Sequence, residues 1–173
     1  MTAMIGTIAS VFFAAILLRA GIGDLVTMKI PNKLILILLA GYAFLIPFAG
    51  LSPVEIASSL AAAAVVFCLA FCAFARGWMG GGDVKLITVS VLWLGLPLLP
   101  AFLFWTAVFG AILTATLLYY RFMPIPEARL GKIGWAGRLH ADKTRVPYGV
   151  AISAAALMIF QWSPWMAPLL NGH

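Results

Sequence analysis

Long apolar runs separated by short polar breaks dominate the chain, and their lengths predict helices that cross a lipid bilayer. Ala3 to Gly23 predicts a first span, with Arg19 near one end, where its long stem can snorkel to the headgroups, and Asp24 directly after it. Leu34 to Gly50 predicts a second, after a connector, Leu25 to Lys33, in which Pro31 discourages continuous helix. Leu51-Ser52-Pro53 makes a tight connection into a third span, Val54 to Ala75, with Glu55 near its entrance. Val84 to Leu99 predicts a fourth, rather short span ending around Pro97 and Pro100. Ala101 to Phe122 predicts a fifth, with Tyr119 and Tyr120 placed at an interface, and Val146 to about Leu170 a sixth, with Trp162 and Trp165 near its far end. Runs of about 17–25 apolar residues suit helices, and they lack the alternation of barrel strands. The predicted fold class is an all-α integral membrane protein with six transmembrane helices. It forms a single membrane-embedded domain over residues 1–173, in which 123–145 is the only long polar connector.

Composition sharpens that reading. With 64% hydrophobic and 9% charged residues and a mean hydropathy of +1.10, the chain lies far outside soluble-protein averages. The net charge of +6 reads as topology signal in basic loops, since no basic and aromatic nucleic-acid module is visible. No basic region precedes the first apolar run, so that run is expected to remain a span and not to be a cleaved signal. Cys68 and Cys72, four residues apart on one helical face, read as apolar packing: a zinc site needs more ligands.

Orientation follows from the basic residues. All eleven gather on one side: Arg19, Lys29 and Lys33 at the first connector, Arg76 and Lys85 at the third, and Arg121 through Arg145 at the fifth. The opposite side carries only Glu55. Positive charge collects in the cytoplasm, so both termini are expected on the non-cytoplasmic side and the odd-numbered connectors inside. Span parity then puts Asp24 and Asp83 at the same cytoplasmic face.

Ionisable groups at membrane depth are costly and tend to mark function. Asp24 reads either as an interfacial residue hydrated among headgroups or as a functional carboxylate, and a helix C-terminal end is a poor place for a negative charge. Asp83 follows Gly80-Gly81-Gly82 and reads as a helix N-cap, a role compatible with catalysis. Lys85 is either a neighbouring cation that tunes the local field or a further topology signal. Two carboxylates around one water can share a proton, one taking a proton from the water while the protonated partner polarises a scissile carbonyl and later helps protonate the leaving amine. The glycines either let a substrate backbone approach Asp83 or form a flexible connector. A proton-coupled transporter or assembly subunit using the same carboxylates is the competing class.

The ordered set Asp24, Ile30-Pro31-Asn32, Gly80-Gly81-Gly82-Asp83-Val84-Lys85-Leu86 and Val146-Pro147-Tyr148-Gly149 resembles the type IV prepilin leader peptidase family. The resemblance covers nearly the whole chain. It implies an intramembrane aspartic endopeptidase that removes the short basic leader from type IV prepilins or related pseudopilins at the cytoplasmic face of the bacterial inner membrane. Asp24 and Asp83 would be the catalytic pair, with Pro31, Asn32, Gly80, Gly82, Lys85, Pro147, Tyr148 and Gly149 as motif positions, and no metal or cofactor is expected. The expected partners are the prepilin or pseudopilin substrate helix and the lipid bilayer, with no nucleic acid. Larger bifunctional relatives carry an N-terminal region with paired Cys-x-x-Cys motifs that is associated with N-methylation. This chain opens directly on a span, so it looks most like the compact peptidases of tight-adherence, or Flp, pilus systems, and no methyltransferase activity is expected. The glycine-aspartate motif is also similar to that of presenilin-like and signal-peptide peptidases, but Ile30-Pro31-Asn32 favours the prepilin family. His140, alone in the basic connector, reads as solvated, and substrate recruitment is expected through apolar helix packing.

Overall fold

A computed structural model describes residues 2–123, 134–141 and 145–167. Among these the regular structure is entirely helical: α1 (Thr2–Thr27), α2 (Asn32–Leu45), α3 (Pro53–Ala75), α4 (Gly81–Leu94), α5 (Leu99–Phe122), α6 (Gly134–Ala141) and α7 (Tyr148–Ile159), with short 3-10 turns at Ile46–Phe48, Leu96–Leu98 and Phe160–Trp162. Three helices are long and apolar enough to cross a membrane, Ala3–Thr27, Pro53–Ala75 and Leu96–Phe122, and two shorter apolar ones run over Asn32–Phe48 and Tyr148–Trp162.

Of the two remaining helices, α4 is the centre of the fold. Its 14 residues reach only about 21 Å at 1.5 Å per residue, less than the roughly 30 Å of a hydrocarbon core. Val84, Leu86, Ile87, Val89, Val91, Leu92, Trp93 and Leu94 are all buried, on every side of the helix. A helix apolar all round belongs in an interior, and α4 packs chiefly against α3, with α7 and α2 on other faces. The helix stops at Gly95, whose φ of 82° favours glycine, and the Leu96–Leu98 turn carries the chain through Pro97 into α5.

Helix α7 fills the other central position, between α1 and α5 and against α4. Close approach to α1 depends on Gly21, where an added Cβ would lie 3.2 Å from Ser153 Cβ. At the far end of α4 an aromatic cluster closes the core. Trp93 packs on Phe13 and Trp165 at ring-centroid distances of 5.2 and 4.9 Å, and its indole N–H donates to the Leu38 carbonyl at 3.1 Å. Trp165 in turn donates to the Trp93 carbonyl at 2.9 Å. Both indole groups are thus satisfied, as burial requires.

Several boundaries differ from those expected. The last helix ends at Ile159 and a 3-10 turn before Pro164; an end near Leu170 lies outside the described residues. Trp165 is buried in the core, whereas Trp162 is exposed. Within the 123–145 connector, α6 had no periodic signal to announce it. It is fastened to the ends of α1 and α5: Arg138 donates to the Val26 carbonyl at 2.8 Å, Arg121 Nε to the Leu139 carbonyl at 3.0 Å, and the Tyr120 hydroxyl to the Ala136 carbonyl at 3.2 Å. His140 is half-exposed and stands edge-on to the Tyr120 ring, 5.4 Å between centroids. Glu127, Arg129, Lys132, Asp142 and Lys143 lie outside the described residues.

Candidate active site

Asp24 does not follow the first span; it lies inside it. The backbone ladder of α1 continues through Gly21 and Gly23, with the Met28 N–H donating to the Asp24 carbonyl at 2.7 Å and the Thr27 hydroxyl to the Gly23 carbonyl at 2.7 Å. The helix ends only at Met28, whose φ of 52° breaks the right-handed path before the extended approach to Pro31. Asp24 is therefore held rigidly one turn from the end of α1, and its side chain is buried.

Asp83 is likewise not an N-cap. Gly80 occupies that position in extended conformation, φ −73° and ψ 144°, and Asp83 is the third residue of α4. Its carboxylate turns back and accepts from the Gly80 N–H, the acidic half of a capping box. A side chain on Gly80 would interfere: an added Cβ would sit 2.9 Å from Asp83 Oδ2. The rest of the glycine run serves close packing. A Cβ on Gly81 would come within 3.3 Å of the Phe74 ring, and one on Gly82 within 3.1 Å of Ile30 Cβ.

The third motif meets the first two. Pro147 is fully buried and precedes α7, the Tyr148 ring crosses Gly110 of α5, and the Gly149 N–H donates to Asp24 Oδ2 at 2.8 Å. That N–H belongs to the first turn of α7, where amides have no partner in their own helix, so Asp24 satisfies one of them. Asp83 also feels the Gly149 N–H and stands in the field of Asp24. Two helix N-termini, of α4 and α7, thus converge on the carboxylates, and their partial positive charge offsets the unfavourable place of Asp24 near the C-terminal end of α1.

The remaining motif residues brace this arrangement. Pro31 precedes α2 in extended conformation, and Asn32, the first residue of that helix, accepts at Oδ1 from Lys85 Nζ at 2.9 Å. Lys85 therefore joins the start of α4 to the start of α2. Both aspartates open on one cleft of about 410 Å³, also lined by Met28, Trp78, Arg145 and Tyr148. Trp78 is exposed at the rim, where the Arg76 guanidinium lies 5.4 Å from its ring centroid. Among the described residues, no group of three or more His, Cys, Asp or Glu is placed to hold a metal ion.

Of the motif positions named from the sequence, Asp24, Gly80, Asp83, Pro147 and Tyr148 line this cleft, whereas Pro31, Asn32, Gly82, Lys85 and Gly149 do not. The sequence reading did not single out Met28, Trp78 or Arg145 as site residues, and it used Ile30 only as part of a motif. Three of them sit beside motif residues in the chain, which was the available signal. Ile30 lies against Gly82 and Gly149, each more than fifty residues away in the chain.

A pair of carboxylates in a water-accessible cleft, one buried and each within reach of a fixed backbone donor, is suited to general acid–base work on a bound peptide. Comparison with known proteins points the same way. The chain is 29% identical over 158 residues to the prepilin leader peptidase/N-methyltransferase of Bacillus subtilis (strain 168), covering 87% of this chain and 54% of that protein. It thus spans about half the length of this relative. No solved structure matches the chain. The type IV leader peptidase family matches over residues 11–115, a stretch that contains both Asp24 and Asp83. The chain belongs to the type IV leader peptidase family.

Proposed function

We propose that this protein is an aspartic endopeptidase of the bacterial inner membrane that removes the short basic leader from type IV prepilins or Flp-type pilin and pseudopilin precursors. The observation that carries the reading is the convergence of Asp24 and Asp83 on one cleft beneath the Gly149 N–H. Hydrolysis needs no covalent enzyme intermediate. One ionised aspartate takes a proton from water as the water oxygen bonds to the scissile carbonyl carbon, and the protonated aspartate gives its proton to the carbonyl oxygen. The resulting gem-diol collapses as the C–N bond breaks: the aspartate protonated by water delivers that proton to the leaving amine, and its partner recovers one from a diol hydroxyl. A carboxyl and an amine terminus leave, and the dyad again holds one proton.

In this reading the chain crosses the membrane six times, both termini lie outside, and the cleft opens to the cytoplasm. The one-sided basic residues support that orientation. The shortness of α4 is compatible with it, because a helix enclosed by protein does not have to match the lipid thickness. The substrate is a helix with an apolar mature N-terminus, reaching the dyad from the membrane side by apolar packing. The proposal is confined to peptide hydrolysis. Against a transporter, the cleft is lined from one end of the bundle, and the Trp93–Trp165–Phe13 cluster fills the other end of α4.

The test is co-expression with a candidate prepilin, following leader removal for wild type, Asp24→Asn and Asp83→Asn at matched membrane abundance. Loss in both variants is expected; processing retained by either one excludes an obligatory pair. Cysteine labelling provides an independent check. Substitutions at Leu25 and Gly81 should react from the cytoplasmic side and one at Ser52 from outside, and opposite accessibility of the first two would defeat a shared site.

A further inference from the structure

Ile30 stands where all three motif segments meet. A Cβ on Gly82 would lie 3.1, 3.5 and 3.6 Å from Ile30 Cβ, Cγ1 and Cδ1, and one on Gly149 only 2.7 Å from Ile30 Cδ1. The Cγ1–Cδ1 arm therefore lies across both glycines. Neither glycine has a positive φ, so backbone conformation does not call for glycine at these positions; the space taken by Ile30 does. Gly82 directly precedes Asp83, and the Gly149 N–H holds Asp24. The loop that presents Ile30 is fixed at both ends. The Thr27 hydroxyl lies 2.7 Å from the Gly23 carbonyl and 3.2 Å from that of Lys29, and Asn32 is tied to Lys85 at 2.9 Å.

We infer that Ile30 is a positioning residue of the aspartate pair: its Cγ1–Cδ1 arm, wedged between Gly82 and Gly149, sets the gap between the start of α4 and the start of α7, and with it the separation of the two carboxylates. The inference rests on the peptidase reading above. Packed interiors respond to the loss of a single methylene, and a reacting geometry displaced by about 1 Å can cost on the order of a hundredfold in rate. Ile30 is not among the residues that line the cleft, so it acts through Asp24 and Asp83 and not on the substrate.

A competing explanation is purely local. The residue before a proline is extended, and β-branched side chains suit extended backbone. The two explanations rank substitutions in opposite order. Ile30→Met keeps an arm of the same reach but loses the β-branch; Ile30→Val keeps the branch but loses Cδ1 and its contact with Gly149. The experiment measures kcat and KM for leader removal by the purified full chain in detergent, with a prepilin carrying a basic leader, together with the thermal midpoint of each variant. Ile30→Met is expected to retain kcat within about threefold, whereas Ile30→Val loses about tenfold and Ile30→Ala more, with KM unchanged throughout. Ile30→Val matching wild type while Ile30→Met fails overturns the inference in favour of the local explanation. So do equal rates across the series, or rates that simply follow the thermal midpoints. Failure of the peptidase reading looks different: wild type then leaves the leader in place just as Asp24→Asn and Asp83→Asn do, and the inference falls with it.

Discussion

Glu55 and Asp83 hold the same position in neighbouring helices, each the third residue after the cap, yet their surroundings differ. At α3 the cap is Ser52, and the capping box is complete: Glu55 Oε2 accepts from the Ser52 N–H at 2.8 Å and its hydroxyl at 2.7 Å, while the Glu55 N–H donates to Ser52 Oγ at 3.2 Å. The carboxylate is exposed, with its hydrogen-bonding turned inward on its own helix end. At α4 the cap is Gly80, which has no hydroxyl to offer, so Asp83 accepts only a backbone N–H from its own cap and faces Asp24 and Gly149. An acidic residue near a helix start is thus a local stabiliser where the cap completes the box. In the proposed function it is available for chemistry where the cap is glycine and a second element faces it.

The largest contrast to test is between the two acids themselves. Asp83→Asn should lower leader removal roughly 100- to 10,000-fold, the range attributable to positioned acid–base groups, while Glu55→Gln leaves it unchanged. Equal loss in both would mean that helix capping, and not a shared site, underlies the dependence on Asp83. Next comes the element that separates the two environments, the Gly149 N–H. Gly149→Ala places a Cβ 2.8 Å from Asp24 Oδ2 and 2.7 Å from Ile30 Cδ1, and cleavage should fall on the order of a hundredfold. Gly134→Ala in α6, where nothing lies within 4 Å, should have no effect on the same assay.

A smaller effect is expected from making α4 resemble α3. Gly80→Ser supplies the missing cap hydroxyl, with its Cβ 2.9 Å from Asp83 Oδ2, so the carboxylate must shift or be captured by the cap. Helix stability should change little, because serine and glycine caps differ by only a few tenths of a kcal/mol, yet cleavage should fall about tenfold. A Gly80→Ser variant that cleaves like wild type would show that the bare cap is incidental.

These contrasts also separate what the sequence carries from what only the fold supplies. Apolar run length located α1, α3 and α5 within a few residues, because burial in lipid leaves a long contiguous signal. The order of Asp24, Ile30-Pro31-Asn32, Asp83 and Pro147-Tyr148-Gly149 identified residues that do meet. The exact end of α1 was hidden, since it depends on Met28 adopting a left-handed conformation that its residue type does not favour. The glycine run read as access or flexibility; what that reading missed is that each glycine also lies close to a different partner: the Asp83 carboxylate, the Phe74 ring and Ile30. Such close approaches are invisible along the chain, because the neighbour that demands the missing Cβ lies on another element. The enclosure of α4 was hidden for a related reason: an apolar run looks the same whether lipid or protein surrounds it.

The smallest effect belongs to the α3 side of the comparison. Ser52→Ala removes the hydroxyl that Glu55 Oε2 accepts from and that caps the Glu55 N–H, a loss of about 1 kcal/mol for a typical cap. In a chain of this length that corresponds to a fall in thermal midpoint of roughly 2–4 °C, measured in detergent. Leader removal at a temperature well below the midpoint should be unchanged, because Ser52 and Glu55 lie at the end of the bundle away from Asp24 and Asp83. A drop in cleavage without a drop in midpoint would mean that this end is coupled to the dyad through α3 and α4, and would break the distinction between the two helix starts.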